Sequence, residues 1–239
     1  MYKESFKIIL RMMVVIILYY VLDYLFENTV IIIILVLTAA VFVSYNSLFK
    51  NDFDYKLKTS CDVNSYLDKI NRRLSNKDEF VYQTYLAFAY VYQGNYEEAK
   101  KSIELVDRNL LSGKQDLTDK YYGAALKVLF EEQDLDKYSI MLEEYRLLHQ
   151  SEESELDFSF FEVPKYILEK DFLKAKELLL ELIPSQPKRL YIYELEYYLA
   201  LVFIELRNTE DAKAVLDFVI SKRFNIIYIE KCKTLSESI

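Results

Sequence analysis

Glycine and proline are scarce in this chain of 239 residues, with three of each: Gly94, Gly113 and Gly123, and Pro164, Pro184 and Pro187. Strands joined by tight turns need more of both, so residues 51–239 are expected to be all-helical. No two glycines lie within nine residues of each other, which leaves no Gly-rich loop to cradle a phosphate. Histidine occurs once, as His149. Cysteine occurs twice, at Cys61 and Cys232, 171 positions apart. That separation resembles no metal or redox spacing and suits a reducing compartment, so both are expected as buried thiols. The Ser-centred nucleophile elbow, the zinc-binding helix motif and the calcium loop are missing as well. No catalytic residue, no metal ligand and no cofactor is therefore expected, and the chain reads as a binding protein rather than an enzyme.

Basic charge is also short where it would matter for nucleic acid. Residues 51–239 hold 26 Lys and Arg against 35 Asp and Glu, and an acidic domain repels a phosphate backbone. His149 ends a helix ahead of the stretch "SEESELD" and is expected to face solvent there, with a general base beside those carboxylates as the other reading. The carboxylates Glu152, Glu153, Glu155 and Asp157 read as a solvated loop, with weak binding of a divalent cation as the other reading.

What the chain has in excess is apolar sequence, concentrated in its first fifty residues. One run covers residues 8–26 and a second covers 29–49, separated by Glu27 and Asn28. A helix needs about 20 apolar residues to cross a bilayer, so the two runs predict a transmembrane helical hairpin. A cleaved signal peptide would end in a small-residue cleavage site, whereas here a second apolar run follows; a buried core hairpin is the remaining alternative. Lys3 and Lys7 precede the first span and Arg11 lies near its start, Lys50, Lys56 and Lys58 follow the second, and the connecting loop has no basic residue. By the positive-inside rule both termini, and the domain after residue 51, are cytoplasmic. The expected location is the cell membrane, with residues 8–49 in the bilayer. Asp23 in the first span reads as an interfacial residue facing headgroups, or else as a proton or ion site.

Beyond Lys50 a short pattern returns. The stretch "AYVYQGNYEEAKKSI", Ala89 to Ile103, contains a polar break, an Asp or Asn, a residue that is usually bulky in the pattern, two polar residues and then Ala99, a site facing the neighbouring helix. The same order ends at Tyr138 in "QDLDKY", at Ala175 in "KDFLKA" and at Ala212 in "RNTEDA", at intervals of 39, 37 and 37 residues. A regular period in an all-helical segment predicts stacked helix-turn-helix units, an α-solenoid. Small residues at Ala87, Ala99, Ala175, Ala200 and Ala212 would let helices approach closely. Tyr138, bulky at such a position, is expected to push the two helices of its unit apart.

These units resemble tetratricopeptide repeats, whose nominal length is about 34 residues. Leu86, Ala87, Tyr90, Gly94, Tyr96 and Ala99 carry the likeness in the first unit, Tyr122 and Leu135 in the second, Tyr166, Phe172, Ala175 and Pro187 in the third, and Leu199, Ala200, Phe203 and Ala212 in the fourth. The units run over residues 79–112, 118–150, 156–187 and 193–223, with flanking helices over 65–74 and 225–235. The resemblance implies a groove lined by the first helix of each unit. Carried onto this chain, its partner-binding positions are Thr84, Phe88, Val91 and Tyr92; Gly123, Lys127 and Phe130; Phe160 and Ile167; and Tyr197, Leu201 and Ile204. Lys127 stands nearly alone in that set, so a carboxylate clamp of the chaperone-binding kind is disfavoured and an amphipathic helix or apolar peptide is expected. The implied function is a membrane-anchored scaffold or adaptor for a protein or peptide, another membrane protein included. The alternatives are an immunity factor against a bacterial toxin or bacteriocin, or an accessory subunit of a membrane transport or secretion complex.

Overall fold

The computed structural model describes residues 54–150, 158–222 and 224–239. The chain divides into two compact units, Met1–Tyr55 and Lys56–Ile239. Both expected membrane spans and the acidic stretch 151–157 lie outside the described residues. Among the described residues no helix is long and apolar enough to cross a membrane.

The described part is all-α, with eleven helices and no β-strand. In order these are α1 (Tyr55–Ser60), α2 (Val63–Leu74), α3 (Glu79–Gln93), α4 (Tyr96–Glu104), α5 (Gln115–Glu131), α6 (Leu135–Gln150), α7 (Ser159–Leu168), α8 (Phe172–Ser185), α9 (Arg189–Glu205), α10 (Thr209–Ile220) and α11 (Ile227–Ser238). One 3₁₀ turn, Arg108–Leu111, links α4 to α5.

The recurring sequence pattern has a backbone cause. Each helix pair from α3/α4 to α9/α10 turns on a single residue in the left-handed region: Gly94 at φ 85°, Gln133 at 58°, Lys170 at 62° and Arg207 at 58°. The next residue is an Asn or Asp whose N–H reaches back to close the first helix, Asn95 to Tyr90 O at 2.9 Å, Asp134 to Leu129 O at 3.1 Å, Asp171 to Tyr166 O at 2.9 Å and Asn208 to Phe203 O at 2.8 Å. Its side-chain oxygen then accepts the N–H three positions on, capping the second helix at Glu98, Lys137, Lys174 and Asp211. Four residues after each cap stands Ala99, Tyr138, Ala175 or Ala212, all buried. The α1–α2 connection uses the same device, with Cys61 at φ 52° and Asp62 capping Ser65. The helix expected over 65–74 is thus α2, entered through one more copy of the turn.

Packing follows the order of the pairs. The first helices α3, α5, α7 and α9 each touch the next in line, and each also lies against its own second helix. This is a stack of helix-turn-helix units. Ala87, Ala99, Ala175, Ala200 and Ala212 are all 0 % exposed, as close helix contacts require. Tyr138 is buried too, and its hydroxyl donates to the Phe161 carbonyl on α7 at 2.8 Å, tying the second unit to the third.

The last helix does more than end the stack. α11 packs on α10 and α9 and reaches across to α3 in the first unit. Immediately before it, Asn225 pairs with Asp62 in an isolated parallel bridge. The end of the stack therefore meets its beginning. On α5, packed between α3, α4, α6 and α7, every residue from Lys120 to Phe130 is buried. Each large side chain buried in this way contributes roughly 1.5–3 kcal/mol.

Candidate inner-face pocket

The first helices converge on one buried charge. Glu194 on α9 is 0 % exposed. It pairs with Lys127 of α5 and accepts the hydroxyls of Tyr92 on α3 at 3.2 Å and Tyr198 at 3.3 Å. Burial pulls the Lys127 ammonium below the usual lysine range, opposed by the Glu194 carboxylate. Burial pushes the Tyr92, Tyr198 and Tyr228 phenols well above theirs, and proximity to Glu194 adds to it. Tyr228 of α11 lies against the rings of Tyr92, Tyr197 and Tyr198. One residue ring on, Lys231 of α11 pairs with Glu131 and sits over Tyr96 and Tyr197.

Much of the groove expected from the repeat pattern is therefore filled by the chain itself. Thr84, Phe88, Val91, Tyr92, Lys127, Phe130 and Tyr197 are buried. The Thr84 hydroxyl donates to the Phe80 carbonyl at 2.6 Å. Phe160, Ile167, Leu201 and Ile204 are half-buried.

Beside the Lys127 pair a pocket of about 260 Å³ remains open. It brings together five of the expected positions: Phe88, Tyr92, Gly123, Lys127 and Phe160. Thr84, Val91, Phe130, Ile167, Tyr197, Leu201 and Ile204 do not line it. Its aromatic wall is completed by Tyr145, Phe161 and Tyr191, with the Phe160 and Tyr191 rings 5.3 Å apart.

The polar lining adds lysines from outside the expected groove positions. Lys58 from α1, Lys120 from α5 and Lys188 just ahead of α9 share the pocket with Lys127, together with Asp116 and Asp119. Lys120 is buried, pairs with Asp116 and lies 4.8 Å from the Tyr85 ring centre. Part of this was open to sequence reading, because Asp116, Lys120, Gly123 and Lys127 follow one another at helical spacing along one face of α5. Lys58 and Lys188 belong to no repeat position, and only the tertiary fold brings them in.

His149 also differs from expectation. It is buried rather than solvent-facing, its Nε2 lying 3.0 Å from Asp119 Oδ1, and the Tyr145 hydroxyl donates to the same oxygen at 2.8 Å. The cause is the packing of α6 on α7, which lays Phe158 against both His149 and Tyr145. The imidazole and the phenol thus fix a carboxylate that lines the pocket.

Gly123 stands in the middle of α5, where glycine costs about 1 kcal/mol relative to alanine. A Cβ there would meet no atom within 4 Å. Both thiols are buried, and burial pushes Cys61 and Cys232 each up to about 12. Among the described residues no group of three or more His, Cys, Asp or Glu side chains is placed to hold a metal ion.

No family model matches the chain, and neither a curated protein nor a solved structure matches it.

Proposed function

We propose that the chain is a membrane-anchored scaffold of the tetratricopeptide-like kind, and that it captures a protein or peptide segment at the inner face of its helix stack without altering it chemically. The observation that carries this reading is the pocket of about 260 Å³ lined by side chains from successive inner helices α3, α5, α7 and α9. The turn repeated at Gly94, Gln133, Lys170 and Arg207 supports the repeat assignment, since it supplies each pair with the same stop and cap. The apolar runs 8–26 and 29–49, with Lys and Arg only at their outer ends, support a two-span anchor with a cytoplasmic domain. A tether of this kind raises the local concentration of the domain near membrane-bound partners.

The test places a photoreactive phenylalanine analogue at Tyr191, on the wall of the pocket, and in a second strain at Ile140, which is 69 % exposed on α6. After irradiation of native membranes, a discrete adduct from Tyr191 and none from Ile140 is the expected result. Adducts from Ile140 alone would refute capture at the inner face. A reporter fused after Ile239 should read cytoplasmic, and removal of the domain by external protease in whole cells would overturn the orientation.

A further inference from the structure

The pocket beside Lys127 is closed on its inner side. Behind Lys127 and Tyr92 the space is filled by Glu194, Tyr197, Tyr198 and Tyr228, all buried. The Tyr228 ring, carried by α11, lies against those of Tyr92, Tyr197 and Tyr198. A partner entering the pocket therefore finds no continuous groove to follow along the row of first helices. The open volume of about 260 Å³ is also below the roughly 300–1,000 Å³ of sites that enclose a whole small ligand.

The charges around the pocket already have partners within the chain. Lys127 pairs with Glu194 and Lys120 with Asp116. Asp119 is held by His149 and by the Tyr145 hydroxyl. Lys58 and Lys188 each have an interaction of their own, Lys188 lying 5.8 Å from the Tyr191 ring centre. A charged ligand group, of either sign, would have to displace one of these partners and leave it stranded. An uncharged group displaces none.

What the pocket offers is aromatic surface. Phe160, Phe161 and Tyr191 are half-buried, and the Phe160 ring meets the other two edge-on at 5.4 and 5.3 Å. Beside Gly123 the space is open, since a Cβ there would meet no atom within 4 Å. An apolar group entering that space removes the half-exposed rings from water, and a ring can pack edge-to-face against them.

We infer that the pocket takes one uncharged aromatic side chain of the partner, an indole or phenyl ring, packed among Phe160, Phe161 and Tyr191 beside Gly123. The rest of the partner lies outside, across a mouth bordered by the exposed side chains of Asp116 and Lys188. This rests on the peptide-capture reading above and narrows it from a segment lying along the groove to a single anchor.

The chain has no tryptophan, so indole fluorescence reports an added peptide alone. The test titrates the full chain in detergent micelles into the peptide AQQWQQA and reads AQQEQQA and AQQKQQA by their displacement of it. The tryptophan peptide should bind at least roughly tenfold tighter than either charged analogue, with no dependence on salt. Gly123→Leu, which fills the pocket, should abolish the signal in the same micelles while leaving the melting temperature equal or higher. Should that variant fail to fold, Tyr191→Ala reads the same site and should weaken binding about tenfold. Equal binding of a charged analogue, or wild-type binding by the folded variant, overturns the inference. A second anchor, as in AQQWQQLQQA, should change affinity less than about twofold; a tenfold gain would show that the face accepts a run of side chains and would overturn the single anchor. If the tryptophan peptide fails to bind while the Tyr191 adduct forms, the aromatic anchor falls and capture stands; if neither appears, both fall.

Discussion

Ile227 occupies the space that a side chain at Gly94 would need. A Cβ placed on Gly94 would lie 2.5 Å from Ile227 Cδ1 and 2.8 Å from its Cγ1. The two residues belong to opposite ends of the helix stack, the turn of the first unit and the start of α11. Of the four repeat turns, only this one carries a glycine.

Gly94→Ala should therefore destabilise the domain by about 3 kcal/mol, combining the left-handed penalty with overpacking against Ile227. Glycine at Gln133, Lys170 or Arg207 should instead leave stability unchanged or raise it by up to about 1 kcal/mol, since the strain relieved exceeds the flexibility gained. Urea titration of the detergent-solubilised chain reads both. A Gly94→Ala cost no larger than the left-handed penalty would mean that α11 does not close on α3.

The Lys127–Glu194 pair is buried on both sides, so removing one partner is worse than removing both. Glu194→Gln is expected to cost roughly 3–5 kcal/mol by stranding the ammonium, whereas Lys127→Met/Glu194→Gln, which removes the ammonium and keeps an amide oxygen to accept the Tyr92 and Tyr198 hydroxyls, should cost less. A double-mutant cycle on thermal unfolding measures the difference. Additive single effects would contradict the coupling.

The caps are predicted to be individually modest and alike. Asp171→Ala and Asn208→Ala each remove the acceptor for a helix-opening N–H and should each lower stability by about 1 kcal/mol. Helical content by circular dichroism should change little before the melting point does.

Alkaline pH should unfold the domain. The Tyr92, Tyr138, Tyr198 and Tyr228 phenols are held well above their ordinary value of 10.0, and Cys61 and Cys232 are pushed from 9.0 up to about 12. Above pH 9 the unfolded chain begins to lose these protons while the folded chain keeps them, so stability present below that pH falls as pH rises. The lowered Lys127 and Lys231 ammoniums act in the opposite sense, but they are two groups against six. Tyrosinate absorbance should appear together with loss of helix, in one transition. Ionisation of most tyrosines ahead of unfolding would show that they are not buried as described.

The inner-face residues show where sequence reading stops. The face of α5 with Asp116, Lys120, Gly123 and Lys127 is written in consecutive helical steps, because those residues share one element. Lys58 and Lys188 come from outside the repeats, and His149 is buried by an inter-helix contact, so no local pattern marks them. Tyr92 and Tyr197 have the spacing of groove residues, and they are covered because α11 lies over them.

The sequence by itself determined the helical class, the period and the turn between the helices of each pair. These depend on groups a few residues apart: a left-handed residue, an Asn or Asp whose carbonyl side chain reaches three residues on, and a small or aromatic residue four residues after it. The tertiary structure alone decided that the stack closes through Ile227 and Gly94 and that four lysines share one pocket. Both outcomes depend on the summed rotation and shift between successive helix pairs, which is set by how side chains from many units pack at once.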